Sequence, residues 1–170
     1  MELLMVRFAI RIFVMPVTIA LIDAVILIPI GLSIYHVVEE LLKGKLDEPM
    51  EVLEGVGVVM IGWGVAIEER SSLREIFHLE GVGDETLQAG IDTLCHASGI
   101  GLLILGLFSE IAVTAVRLPN HIVPTEGFDG PVLGVSLFFI VLGVYVIVQH
   151  IVRLLIAMIW RRVPAPYHSR

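Results

Sequence analysis

Two carboxylates sit where carboxylates are costly. Asp23 lies within the apolar run FAIRIFVMPVTIALIDAVILIPIGLSIY, and Glu110 lies within GLLILGLFSEIAVTAV. At ~1.5 Å of rise per residue, each is about 20 Å from the basic end of its run. An ionised carboxylate at that depth costs at least ~2.5 kcal/mol on insertion scales. Two that met there would repel, and one would hold a proton. The chemistry this implies is proton or cation movement. The alternative is a neutral acid bonded to a backbone carbonyl, to Thr18 or to Thr114, or an ion pair across a subunit boundary.

Histidine supplies the second candidate chemistry. His96 and His150 fall near the same end of neighbouring apolar runs. Two histidines on separate spans can supply the axial ligands of one b-type haem. Gly143, on the same face as His150, would leave room for a porphyrin. Asp92 sits four residues before His96 and can also bond it locally. A third possibility gathers Glu68, Glu69, Asp92, Cys95 and His96 around iron, manganese or zinc, although the Glu-x-x-His spacing of bundle metal sites is absent. Ser109, Thr114 and Ser136 have no His–carboxylate set around them in the sequence, so no nucleophilic catalyst is predicted. The glycines of GVGVVMIGWG lie inside an apolar run and do not form a phosphate loop.

These residues are carried by apolar helices. The 170-residue chain is 56% hydrophobic, with a mean hydropathy of +0.91. Soluble domains sit nearer 45–50% apolar, roughly, so the composition points to the bilayer. A net charge of −7 gives no basic footprint for nucleic acid. A single cysteine excludes an intrachain disulfide. The N-terminus lacks a short signal-peptide h-region with a small-residue cleavage site and reads as a retained membrane segment.

Four spans are predicted, over 8–35, 50–67, 97–116 and 132–152, followed by an interfacial segment over 153–170. Together they form one all-α domain, an up-down four-helix bundle. Span one is longer than a roughly 30 Å hydrocarbon core, so it should tilt or begin with an interfacial turn carrying Arg7 and Arg11, and it should kink near Pro16 and Pro29. The helical pattern of span two should continue past Glu68 and Glu69 into a cytoplasmic extension, with Gly81 and Gly83 as its stop. Asp84 is the expected cap of the helix that carries span three, and Arg117 and Pro119 are expected to end it.

Span three has a pronounced polar face. At 100° per residue, Asp92, His96, Gly99, Gly106, Glu110, Thr114 and Arg117 fall within about 40° of one line. Such a face must be buried against protein or water. Glycines at helical spacing let membrane helices approach closely. Gly55 with Gly62, or Gly57 with Gly64, should therefore lie at a helix contact.

Eight Lys and Arg residues fall on one side of this four-span arrangement and three on the other. The positive-inside rule then puts both termini in the cytoplasm. Asp23, the Glu68–Glu69 pair and Arg117 give the chain a resemblance to the phosphate-starvation-inducible small membrane proteins of bacteria. That pattern lacks the 68–79 extension, and the resemblance carries no function.

The expected function is a non-enzymatic structural or accessory subunit of a bacterial inner membrane. It would associate with itself or with a larger complex. The alternatives are an oligomeric ion channel or proton-coupled transporter using Asp23 and Glu110, and a b-haem electron-transfer subunit using His96 and His150.

Overall fold

The computed structural model describes residues 2–44, 47–79, 84–120 and 129–160. They form six helices: α1 (Glu2–Phe13), α2 (Pro16–Leu42), α3 (Asp47–Glu68), α4 (Arg70–Ile76), α5 (Glu85–Asn120) and α6 (Asp129–Trp160). No strand occurs among the described residues. Four of the helices, α2, α3, α5 and α6, are long and apolar enough to cross a membrane. Large apolar side chains face outward along them, among them Leu21, Ile28, Leu32, Val58, Ile111, Phe138 and Val148.

Helix neighbours follow chain order. α3 packs most extensively on α5, α5 on α6, α6 on α2 and α2 on α3. α3 also touches α6 across the middle, so α2 and α5 are diagonal partners with α3 and α6 between them. The core is a continuous apolar column, including Ile19, Ile30, Leu53, Met60, Leu102, Val113, Leu133, Ile140 and Ile147.

The first expected span is broken in two. Pro16 begins α2, and the preceding Met15 is extended, at φ −67° and ψ 132°. Proline disfavours the helical conformation in the residue before it and has no N–H to continue a helix from upstream. The result is a separate α1 carrying Arg7 and Arg11, not a kinked helix over 8–35. α2 alone has 27 residues, or ~40 Å at 1.5 Å per residue. It carries Pro29 internally. Lys43 closes α2, with Nζ 2.7 Å from Glu39 and 2.8 Å from Glu40. Those hydrogen bonds push the Lys43 ammonium above its usual range. Gly44 follows at φ +75°, the left-handed geometry that ends many helices.

The other boundaries also shift. The extension after α3 is the short helix α4, and His78 at φ 49° follows its end. Gly81 and Gly83 lie outside the described residues. Asp84 caps α5 as expected, with its Oδ1 accepting from the Thr86 N–H at 3.0 Å. α5 then runs on to Asn120, past Arg117 and Pro119. α6 reaches Trp160, and Leu154 and Ala157 within it are fully buried. Residues 153–160 therefore continue α6 against the bundle. The tail beyond Trp160 and the 121–128 link lie outside the described residues.

Close approach of α3 and α5 depends on four glycines. A Cβ at Gly64 would stand 2.7 Å from the Gly99 carbonyl oxygen, and one at Gly99 would stand 2.6 Å from that of Gly64. Two turns away, a Cβ at Gly106 would stand 2.8 Å from the Gly57 oxygen. The antiparallel pairs 64–99 and 57–106 thus form one backbone-to-backbone contact. Gly55 and Gly62 face outward, and a Cβ at either would meet nothing within 4 Å.

Candidate functional site

Four spans each contribute one polar side chain to a single buried cluster. Asp23 on α2 is fully buried. Its Oδ1 accepts a 2.6 Å hydrogen bond from the Trp63 indole on α3. Its Oδ2 lies 2.8 Å from Nδ1 of His150 on α6. The other ring nitrogen of His150, Nε2, lies 3.6 Å from Sγ of Cys95 on α5. An indole N–H can only donate, and a carboxylate can only accept. As a carboxylate, Asp23 therefore takes a proton donor on each oxygen. This orients the imidazole with Nδ1–H toward Asp23 and Nε2 toward the thiol. Burial of such a group is tolerable only with its hydrogen bonds made.

A second network closes the end of the bundle next to this cluster. Arg70 of α4 is 1% exposed. Its Nε donates to the Val14 carbonyl at 2.9 Å, and one terminal nitrogen donates to Gln88 at 2.7 Å. The other terminal nitrogen pairs with Asp92, which also pairs with Arg74. Burial pushes the Arg70 guanidinium below its usual value, and Asp92 opposes that shift. The network ties the α1–α2 break, α4 and the start of α5 together. Arginine suits the role because its planar fork reaches several acceptors at once.

The polar face of α5 is turned largely toward α3 and α4. Asp92 meets the two arginines of α4. His96 Nδ1 lies 2.9 Å from Glu68. Gly99 and Gly106 meet Gly64 and Gly57. Glu110 rests against α3, with a carboxylate oxygen 3.3 Å from where a Cβ at Gly57 would stand. Thr114 is exposed, and the Arg117 side chain lies outside the described residues. Beside Glu110, Ser109 and Ser136 join α5 to α6 through a buried 2.6 Å hydroxyl pair.

Three expected pairings are redistributed. Asp23 does not meet Glu110, because it lies at the level of Cys95, about 22 Å along α5 from Glu110 at ~1.5 Å per residue; Asp23 meets His150 and Trp63 in its place. His96 and His150 are not assembled as axial ligands. His96 is half exposed beside Glu68, while both nitrogens of the buried His150 face Asp23 and Cys95. The space beside Gly143 is filled by the Met60 side chain. The expected metal set is divided among separate partners: Glu68 with His96, Asp92 with arginines, Cys95 with His150. Glu69 is exposed. Among the described residues, no three His, Cys, Asp or Glu side chains gather for a metal ion.

Sequence reasoning misses Trp63, Cys95, Arg70 and Gln88 as members of these networks. Trp63 carries a usable signal, since its indole N–H needs a partner when buried. Beside the cluster, a groove of about 230 Å³ opens between α5 and α6, with His150 and Arg153 among its lining residues.

The four long apolar helices and their buried polar centre define an integral membrane protein of the four-helix-bundle class. Comparison with protein-family models, curated proteins and solved structures finds no match.

Proposed function

We propose that this chain is a small, self-associating structural or accessory subunit of a bacterial cytoplasmic membrane, with both termini in the cytoplasm. The observation that carries this reading is the outward face of α3. Gly55 and Gly62 repeat, on the exposed side, the seven-residue spacing that brings Gly57 and Gly64 against α5. Val58, Val59 and Val65 flank them, and all three are exposed. Small residues at this spacing favour helix association in lipid, where apolar burial supplies no drive. The excess of Lys and Arg at the α1, α4 and α6 end supports the orientation. Native mass measurement in mild detergent tests the reading. A multimer that becomes a folded monomer on Gly55→Leu with Gly62→Leu supports it. A monomer before substitution, or a multimer unchanged by it, contradicts it.

The buried Asp23–His150 pair favours a second reading, a proton-coupled membrane protein. Ionisable groups inside spans commonly mark proton relays, and this pair replaces Asp23 with Glu110 as the core of such a relay. Proton flux into liposomes that is lost in His150→Gln would support it. Flux at the level of empty liposomes would exclude it.

A further inference from the structure

We propose that the cavity between α1, α4 and α5 binds the phosphate of an anionic phospholipid, with Arg11 and Arg74 as its ligands.

The cavity forms where Pro16 breaks the first apolar run, and its volume is about 70 Å³. Its polar lining is Arg11, Arg74 and Gln88, and the turn at 14–16 and Leu79 complete the wall. Among the described residues, no acid lines it. A water-sized group takes ~10–15 Å³ of such space, so the cavity holds roughly as many as a phosphate has heavy atoms. It has no room for an acyl chain.

The lining has donors to spare. Arg74 gives one terminal nitrogen to Asp92, which leaves its second terminal nitrogen and Nε for an oxyanion. Arg11 pairs with no acid among the described residues. Gln88 turns its Oε1 to Arg70, so its Nε2 is a further donor. One carboxylate, Asp92, is shared by Arg70 and Arg74, so positive charge is in excess around the cavity. Guanidinium forks bind phosphate through paired N–H donors. A zwitterionic headgroup would bring its ammonium to a wall without a carboxylate, which favours an anionic one.

α1 identifies the anion as a lipid's. Of residues 5–12, all but Ile10 are exposed. At 100° per residue, Arg7 and Arg11 stand ~40° apart, and Met5, Val6 and Ile12 stand ~120° or more from their midline. Those three apolar side chains are exposed, as is Phe8. A helix with one basic and one apolar face lies in the bilayer interface, its apolar side at the acyl chains and its basic side at the headgroups. Met15 lines the cavity and is itself exposed, which carries this apolar surface up to the cavity's edge. The site does not depend on self-association.

Native mass spectrometry of the purified full chain in mild detergent tests it, by titration with phosphatidylglycerol or with phosphatidylcholine of the same acyl chains. Phosphatidylglycerol should give a saturable adduct, and phosphatidylcholine should bind more weakly. Arg11→Gln, a change at an exposed position, should weaken the phosphatidylglycerol adduct about fivefold, the worth of one basic side chain at an anionic surface. Arg153→Gln on α6 should leave it unchanged. Inorganic phosphate at the same concentration should not displace the lipid. Equal binding of the two lipids, or equal effects of the two substitutions, overturns the proposal. Displacement by inorganic phosphate also overturns it and marks a free-anion site. The protein mass in the same spectra reports the oligomeric state separately, so failure of the lipid site and failure of self-association are told apart.

Discussion

Adding one methyl group at Gly64 should cost far more than adding it at Gly62. The two glycines are half a turn apart on α3. At Gly64 the new Cβ would stand 2.7 Å from the Gly99 oxygen, 2.8 Å from the Leu103 nitrogen and 3.2 Å from the Leu102 Cβ. Two of these three are backbone atoms, so no flexible side chain can give way and the helices must separate. Overpacking of this kind costs about 1–3 kcal/mol. At Gly62 nothing lies within 4 Å, and alanine gains up to about 1 kcal/mol in helix propensity. The same propensity gain applies at Gly64, so the gap between the two variants is the overpacking cost, about 1–3 kcal/mol, or roughly five-fold to a hundred-and-fifty-fold in the folded-to-unfolded ratio. Reversible unfolding in mixed micelles measures it, with Gly62→Ala as the internal control. If Gly64→Ala is no less stable than Gly62→Ala, the close glycine contact between α3 and α5 is refuted.

Three further outcomes follow from the buried networks and the orientation. Trp63→Phe keeps an aromatic ring but removes the donor to Asp23, so stability should fall by about 1–3 kcal/mol in the same unfolding assay. Arg70→Leu leaves Asp92 only Arg74 and strips Val14 and Gln88 of their donor; removing one partner of such a buried pair costs about 3–5 kcal/mol, and adding Asp92→Leu should recover part of it. In a Cys95→Ser background, cysteines at Gly44 and Glu126 should react with an impermeant maleimide on intact cells, while one at Ser169 should not.

The four spans are legible because an apolar run of bilayer length, with few charges, is stable in few places other than a membrane. Pairing the spans is harder, because it depends on which helices are neighbours. The polar line on α5 is packed at Asp92, Gly99, Gly106 and Glu110 but not at the half-exposed His96 or the exposed Thr114, and the partner of Asp23 cannot be read from depth alone. Depth itself misleads, because Pro16 starts a new helix and brings Asp23 to about 10 Å from its end, at ~1.5 Å per residue. The glycine patterns 55/62 and 57/64 are equivalent in sequence, and only the position of Gly99 and Gly106 on α5 selects the second. Arg70 reads in sequence as a solvated charge in a polar extension. It is buried because the break at Val14 offers a carbonyl and α5 offers Asp92 and Gln88 at the same place.

Convergence of Asp23, Trp63, Cys95 and His150 from four spans into one water-excluded cluster is the central claim. The chain has two tryptophans, and only Trp63 is buried, while Trp160 is exposed. Indole N–H resonances of the protein in micelles, followed after transfer to D₂O, test the claim directly. One indole signal should persist while the other exchanges at once, and Asp23→Asn should move the persistent signal alone. Two fast-exchanging indoles, neither responding to Asp23→Asn, would contradict it.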